Sequence, residues 1–144
     1  MLFIGRYDHI IDQKGRLAVP SRWRETLLGL HEDRLVLTKH RVGQNRCVQI
    51  HRLSHWEKLL RRFDEQPPLD LKMAALQRAY ISHGQECPMD PQGRILLPPH
   101  LRAYAGLERD VRFVGYSRFA SIWGRAVCDR LHNQDEGVFH AAPL

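Results

Sequence analysis

Apolar and polar residues fall into short strand-like runs at the start of the chain and switch to helical spacing in the middle. Residues 7–11 are apolar-rich and suit a strand. Asp12-Gln13-Lys14-Gly15 reads as a turn, with Gly15 supplying a positive φ. Arg16-Leu17-Ala18-Val19 resumes as a strand, so residues 12–16 form the tip of a β-hairpin. Pro20-Ser21 opens a short helix, with Ser21 as N-cap and Gly29 as the residue that ends it. Two more strands follow near 34–38 and 47–51. The same order returns later: Pro98-Pro99 opens a helix, Gly106 closes it, and strands lie near 111–115 and 119–123. Between the two sets, Ser54-His55-Trp56-Glu57 spells a capping box, and Trp56, Leu59, Leu60 and Phe63 follow at helical spacing. Pro67-Pro68 breaks the chain and opens another helix, along which Leu69, Met73, Leu76 and Tyr80 make a second apolar stripe. Both stripes are read as core or subunit contact. Residues 133–144 are polar and poorly patterned, which predicts a loose tail.

The recurrence is an internal repeat. At a shift of 78, Asp12/Asp90, Gly15/Gly93, Arg16/Arg94, Pro20/Pro98 and Arg24/Arg102 coincide, and the three residues after each DxxGR are apolar. With one residue dropped, Gly29 meets Gly106 and Val36-Leu37 meets Phe113-Val114. After a loop five residues longer in the first copy, Cys47-Val48-Gln49-Ile50 meets Phe119-Ala120-Ser121-Ile122. The chain therefore divides into a first unit over 5–53, a helical connector over 54–80, a second unit over 81–125, and a C-terminal helix and tail over 126–144.

The length of 144 residues suits one domain or two small units sharing a core. No apolar run approaches the roughly 20 residues of a membrane span, and the first residues lack the apolar length and cleavage site of a secretory signal. Three cysteines without CxxC spacing argue against a disulfide framework or a cysteine zinc site, and place the chain in a reducing cytoplasm. The net charge of +6 is uneven: residues 1–62 hold 13 Lys+Arg against 6 Asp+Glu, and residues 63–144 hold 9 against 10. A locally positive half suggests a polyanion partner. Arg outnumbers Lys 18 to 4, and its planar fork grips phosphate or the edge of guanine with two bonds.

These properties converge on the hairpin tips. One DxxGR turn is explained by Asp holding backbone N–H groups and a nearby Arg. Two copies packed about a pseudo-twofold bring the tips to related positions, making Arg16 and Arg94 a spaced pair of guanidinium groups with Lys14 and Gln92 at matching turn positions. The candidate DNA contacts are Lys14, Arg16, Arg22, Gln92 and Arg94; Asp12, Gly15, Asp90 and Gly93 support the turns. An enzyme reading would make Asp12 and Asp90 an acid/base pair on a double-psi-like barrel, but no Ser/His/Asp order, phosphate-cradling loop or HExxH accompanies them. His83/Cys87 and His51/His55 lie four apart without two further ligands nearby, so no metal or other cofactor is expected. A protein-interaction module, antitoxin-like or scaffolding, is the other alternative. RNA binding lacks an aromatic stacking motif.

Both copies resemble the swapped-hairpin AbrB/SpoVT-type DNA-binding unit, and their tandem order is similar to the MraZ family. The cues are Gly5-Arg6-Tyr7, Asp12 through Pro20, Trp56-Glu57, Ser82-His83, Cys87 through Pro98, Leu101 through Leu107, and Phe119 through Trp123, which together span about residues 1–131. The chain departs from the pattern at Ser121, where an acidic residue is common, at Cys128-Asp129, where a further Trp is common, and at Pro91, which stiffens the second turn. The resemblance implies an α+β, β-rich fold: two tandem swapped-hairpin units forming a pseudo-twofold β-barrel, with intervening and C-terminal helices. It implies a bacterial transcriptional regulator, usually a repressor, that binds short direct repeats ahead of the division and cell-wall gene cluster. It also implies a ring-shaped homo-oligomer associated with the nucleoid.

Overall fold

A computed structural model describes residues 2–67 and 69–143. Eight strands and five helices follow the repeat: β1 (Arg6–Ile10), β2 (Arg16–Ala18), α1 (Ser21–Gly29), β3 (Arg34–Val42), β4 (Asn45–Arg52), α2 (Leu53–Asp64), α3 (Leu71–Ala79), β5 (Gln85–Pro88), β6 (Arg94–Leu96), α4 (Pro99–Ala105), β7 (Asp110–Gly115), β8 (Phe119–Gly124) and α5 (Arg125–Ala141). Among the described residues no helix is long and apolar enough to cross a membrane.

Six strands form one antiparallel sheet in the order β1-β7-β8-β4-β3-β5, and β2 pairs with β6 in a separate two-stranded ribbon. Exchanging the two copies reverses this order onto itself. The pseudo-twofold passes between β4 and β8 at the Gln49/Ser121 pair and through the ribbon at the Leu17/Ile95 pair. The hairpins are swapped: β1 of the first copy pairs with β7 of the second, and β5 of the second with β3 of the first.

The expected barrel is not closed. β1 and β5 remain the two edges of the sheet, because each copy crosses from its edge strand to the ribbon through the DxxG turn instead of pairing the ribbon with the sheet. Val19 N–H to Gly93 O (3.0 Å) and Leu97 N–H to Gly15 O (3.0 Å) extend the ribbon ladder by one bond at each end.

The core lies between the ribbon and one face of the sheet. Leu17, Val19, Ile95 and Leu97 close down on Leu35, Leu37, Val48, Ile50, Val111, Phe113, Ala120 and Ile122, all buried. Trp23 of α1 meets Phe3, Tyr7 and Phe113 edge-on at ring separations of 5.0, 5.6 and 5.6 Å, and its indole N–H donates to Ile4 O at 3.0 Å. Edge-to-face contacts of this kind add about 0.5–1.5 kcal/mol each beyond area burial. The opposite face is covered at one end by α2 and the Tyr80 segment, over Thr38, Gln49 and His51, and at the other by α5, over Cys47 and Trp123.

Several local expectations change. Pairing of β3 with β5 and of β7 with β1 sets Leu37 opposite Gln85 and Phe113 opposite Tyr7, so Leu37, not Val36, is the counterpart of Phe113. Between equivalent positions of β3 and β4 the first copy is then four residues longer than the second, not five, and the extra residues extend the β3–β4 ladder as far as the Val42/Asn45 pair. Gly29 is the last residue of α1 but not its left-handed C′ residue. The left-handed residue is His31 (φ 55°), with its N–H on Leu28 O (3.0 Å) and that of Glu32 on Leu27 O (2.9 Å), a Schellman ending. Gly106 (φ 63°) ends α4 in the same way. Ser21 is the first helical residue and makes no capping bond. The Ser54 capping box does not form either; Arg52 rather than Ser54 is the N-cap, so α2 starts two residues earlier, and Glu32 receives the Ser54 N–H at 3.2 Å while pairing with Arg52 at 3.1 Å. Asp70 caps α3 by accepting from Lys72 and Met73 N–H, so Pro67 lies before that helix, and Pro68 falls outside the described residues. The expected loose tail is helical through Ala141, while Leu144 falls outside the described residues.

Candidate nucleic-acid interface

Each hairpin tip is built around one aspartate. In the first, Asp12 N–H donates to Arg16 O (3.0 Å) and Gly15 N–H to Asp12 O (3.0 Å), and Gly15 takes φ 79°, which a side chain would strain. Asp12 Oδ1 accepts the N–H groups of Lys14 (2.9 Å) and Arg16 (2.8 Å), and Oδ2 accepts Arg16 Nε at 2.7 Å. The second tip repeats this: Asp90 Oδ1 accepts from Gln92 and Arg94 N–H (both 2.9 Å), Oδ2 accepts Arg94 Nε at 3.0 Å, and Gly93 has φ 78°. The backbone N–H of the arginine, joined by its guanidinium, holds each carboxyl below the usual carboxylate range. The carboxylates therefore stay charged and occupied, and each arginine is held at a fixed position through Nε.

The ribbon gives the two arginines a common face. Leu17 and Ile95 point into the core, so Arg16, Ala18, Arg94 and Leu96 point outward by strand alternation. Arg16 lies opposite Leu96 and Arg94 opposite Ala18, which sets their Cα atoms about 8 Å apart by strand rise and spacing. Their side chains are 33% and 29% exposed, so neither guanidinium is entombed. Lys14 and Gln92 are exposed at the turns, and Arg22 is exposed on α1. Arg94 Nη2 also donates to Gln92 Oε1 at 3.1 Å, whereas the terminal nitrogens of Arg16 have no partner among the described residues.

Arg24 is a residue of this region that the sequence reading did not count. From α1 its Nη1 donates to Gln92 O at 2.9 Å, and its side chain covers Gly93, where a Cβ would lie 2.1 Å from Arg24 Cδ. Its coincidence with Arg102 in the repeat was the available signal, but the spacing alone says nothing of which tip it reaches. Of the two i,i+4 pairs singled out, one stays together and the other does not. His51 and His55 meet at 3.2 Å between their Nδ1 atoms, while His83 lies near His100 and Cys87 donates to Gln85 O. Among the described residues no group of three or more His, Cys, Asp or Glu is arranged to hold a metal ion.

The family model described as "MraZ protein, putative antitoxin-like" matches residues 2–79 and again 80–142, in register with the two copies. A protein named "Transcriptional regulator MraZ" from Thioalkalivibrio sulfidiphilus (strain HL-EbGR7) is 40% identical over 122 residues, covering 85% of this chain and 79% of the relative. Proteins of the same name from Desulfitobacterium hafniense (strain DSM 10664 / DCB-2) and Caldanaerobacter subterraneus subsp. tengcongensis are 38% and 36% identical, and cover 98% and 96% of this chain and 94% and 92% of their own lengths. With two copies in tandem, each carrying the Asp-held arginine tip, and with relatives alike over nearly the full length, the chain belongs to the MraZ family.

Proposed function

We propose that this chain is a DNA-binding transcriptional regulator whose paired tips meet a duplex. The observation that carries this is the ribbon face itself: two aspartate-held arginines, about 8 Å apart, on one outward surface of a rigid β scaffold. The distances suit adjacent contacts along one groove, with Arg16 and Arg94 available to base edges and Lys14, Arg22 and Gln92 to phosphates or neighbouring edges. The names of the relatives, all transcriptional regulators, point to a role other than catalysis.

The finer reading is a repressor acting on short direct repeats in the promoter of the bacterial division and cell-wall gene cluster, as a ring-shaped homo-oligomer in the cytoplasm, associated with the nucleoid. Direct repeats call for a series of identical heads, which a ring supplies and a single twofold dimer does not. Several weak heads on one ring then bind well through avidity.

The test is fluorescence anisotropy of a labelled duplex carrying such repeats, with wild type, Arg16→Ala and Arg94→Ala. Each substitution is expected to cost about 1–3 kcal/mol if the arginine reads a base edge. Unchanged affinity in both variants, with circular dichroism unaltered, rejects the assignment. A protein that ignores the duplex and instead captures a second polypeptide fits the antitoxin-like alternative.

A further inference from the structure

The two tips are built alike but are not held alike. The second is tied to the first copy at two successive carbonyls: Val19 N–H reaches Gly93 O at 3.0 Å, and Arg24 Nη1 reaches Gln92 O at 2.9 Å. The first tip has the matching bond from Leu97 N–H to Gly15 O at 3.0 Å, but among the described residues no side-chain hydrogen bond to it matches that of Arg24. The counterpart of Arg24, Arg102, also comes near its tip, with Nη1 3.7 Å from where a Cβ on Gly15 would lie, but it makes its hydrogen bonds within its own copy, from Nε to Leu107 O at 2.9 Å and from Nη2 to Glu108 O.

The cause lies in helix length. From the shared proline to the left-handed residue that ends the helix, the first copy runs from Pro20 to His31 and the second from Pro98 to Gly106. Arg102 thus stands in the last turn of α4, within reach of carbonyls that lack helical partners. Arg24 stands early in the longer α1, far from that helix's end, and is left to reach the neighbouring tip. Two further features act in the same direction. Pro91 fixes φ in the second tip at the position of Gln13 in the first. Gln92, whose carbonyl Arg24 holds, also accepts Arg94 Nη2 on its side-chain oxygen at 3.1 Å; Lys14 at the matching position has no acceptor to offer Arg16.

We propose that Arg24 is a positioning residue, which through Gln92 fixes the Arg94 guanidinium, so that the second tip is the rigid, discriminating head and the first the adaptable one. This rests on the DNA-binding reading for its consequence but not for the clamp itself. A held donor pair distinguishes one base edge from another, because a wrong edge cannot be met by adjustment. An adaptable tip in the more basic half adds affinity with less choice.

Two measurements test this on the full-length protein. In native-state hydrogen exchange followed by NMR, the equivalent amides Gly93 (to Asp90 O, 2.9 Å) and Gly15 (to Asp12 O, 3.0 Å) are compared. Gly93 is expected to be protected about tenfold more, the worth of one bond from a charged donor. Arg24→Met, which keeps the stem over Gly93, is expected to erase that excess, Arg24→Lys to restore part of it, and Arg102→Met to leave the ratio unchanged. Equal protection in the wild type, or an excess that survives Arg24→Met, overturns the clamp.

In the second measurement, anisotropy compares a repeat-bearing duplex with a shuffled duplex of the same composition. Arg24→Met is expected to weaken the repeat duplex about tenfold and the shuffled one less than about twofold. Equal losses on both overturn the positioning role and make Arg24 a plain phosphate contact; no loss on either also overturns it. A wild type that binds neither duplex instead refutes the DNA-binding reading, and one that binds both alike refutes the discriminating head, while the exchange ratio still decides the clamp.

Discussion

Lowering the pH toward 4.5 is expected to destabilise the fold, most strongly through the buried His51, with smaller shares from His9, His40, His55 and His83, which are also held below the ordinary value. His51 lies under α2 and is 3% exposed. Its Nε2 is 2.7 Å from Gln49 Oε1 and 2.9 Å from the Tyr80 hydroxyl, which itself bonds Gln49 Oε1; its Nδ1 is 3.2 Å from His55 Nδ1. The network is satisfied when His51 Nε2–H and Tyr80 O–H both donate to Gln49 and His55 Nδ1–H donates to His51 Nδ1. A second proton on His51 falls on Nδ1, so the His55 contact survives only if His55 moves its own proton to Nε2 and accepts instead. Burial, followed by the charges of His55 and His40, pushes His51 from the ordinary 6.5 down to about 3. Arg52, Arg118, Arg62 and Lys58 face His55 and hold it low as well, after its own burial.

The sign follows from the folded value being depressed for a base. The neutral form stabilises the fold fully above the unfolded value of about 6.5, and that stability is lost as pH falls toward 3. At about pH 4.5, two units below 6.5, the loss is about 2.7 kcal/mol, and any folded value below about 4 gives nearly the same figure. Asp8, Asp12 and Asp90 do not contribute in this window. They lie below 3.8, so their share is lost only at lower pH. The assay is urea unfolding followed by tryptophan fluorescence near pH 7 and pH 4.5, at fixed protein concentration, for wild type and His51→Gln. The wild type is expected to lose about 2.7 kcal/mol more than the variant between the two conditions. Equal losses in both proteins refute the argument.

Other perturbations follow from the same geometry. Lys14→Ala is expected to weaken all duplexes alike and flatten the salt dependence of binding by about one unit if the ammonium meets only phosphate, measured by anisotropy across a salt series. Gly93→Ala is expected to destabilise more than Gly15→Ala in urea melts. Both place a Cβ at positive φ, which costs about 1–2 kcal/mol, but only at Gly93 does that Cβ also collide with Arg24, the nearest atom at Gly15 being 3.7 Å away. Trp23→Ala is expected to cost about 3–5 kcal/mol, since the residue is 1% exposed and its indole N–H is bonded; a change below about 1 kcal/mol counts against its central place in the core.

The tips, the strand order within each copy and the repeat were legible because each rests on a local rule: Asp at a turn, Gly at positive φ, apolar residues at period two. What the sequence hid depends on tertiary partners. The one-residue slip between Val36 and Leu37 arises because Leu35, Val36, Leu37 and Thr38 are all buried. With helices on one face and the ribbon on the other, β3 loses the alternation that sets register. The capping box at Ser54 was defeated by a carboxylate from a distant loop, Glu32, which only the Schellman ending of α1 brings near. The end of α5 carries no apolar stripe, and residues 132–140 are all exposed. Its visible supports are the i,i+4 pairs of Glu136 with His132 and His140, each at 3.6 Å, a pattern that reads as a solvated tail.

Duplication within one chain is what lets the two halves diverge. At the Gln49/Ser121 and Leu17/Ile95 pairs the pseudo-twofold sets each copy against its own counterpart, and even there the copies differ, Gln against Ser and Leu against Ile. Away from the axis the supports themselves differ. Following the register from β4 and β8 into the next helix, Trp56 of α2 corresponds to Cys128 of α5. The first packs with His51 and Tyr80, while the second meets Cys47, Trp123 and Leu131 and takes a guanidinium nitrogen of Arg6 at 2.9 Å on its sulfur. Arg24 and Arg102 diverge for the same reason, once one helix is shorter than the other. A symmetric homodimer of single units has no such freedom, because each substitution appears twice. The tandem chain keeps the shared scaffold that sets two arginines on one face, and makes the supports behind them different.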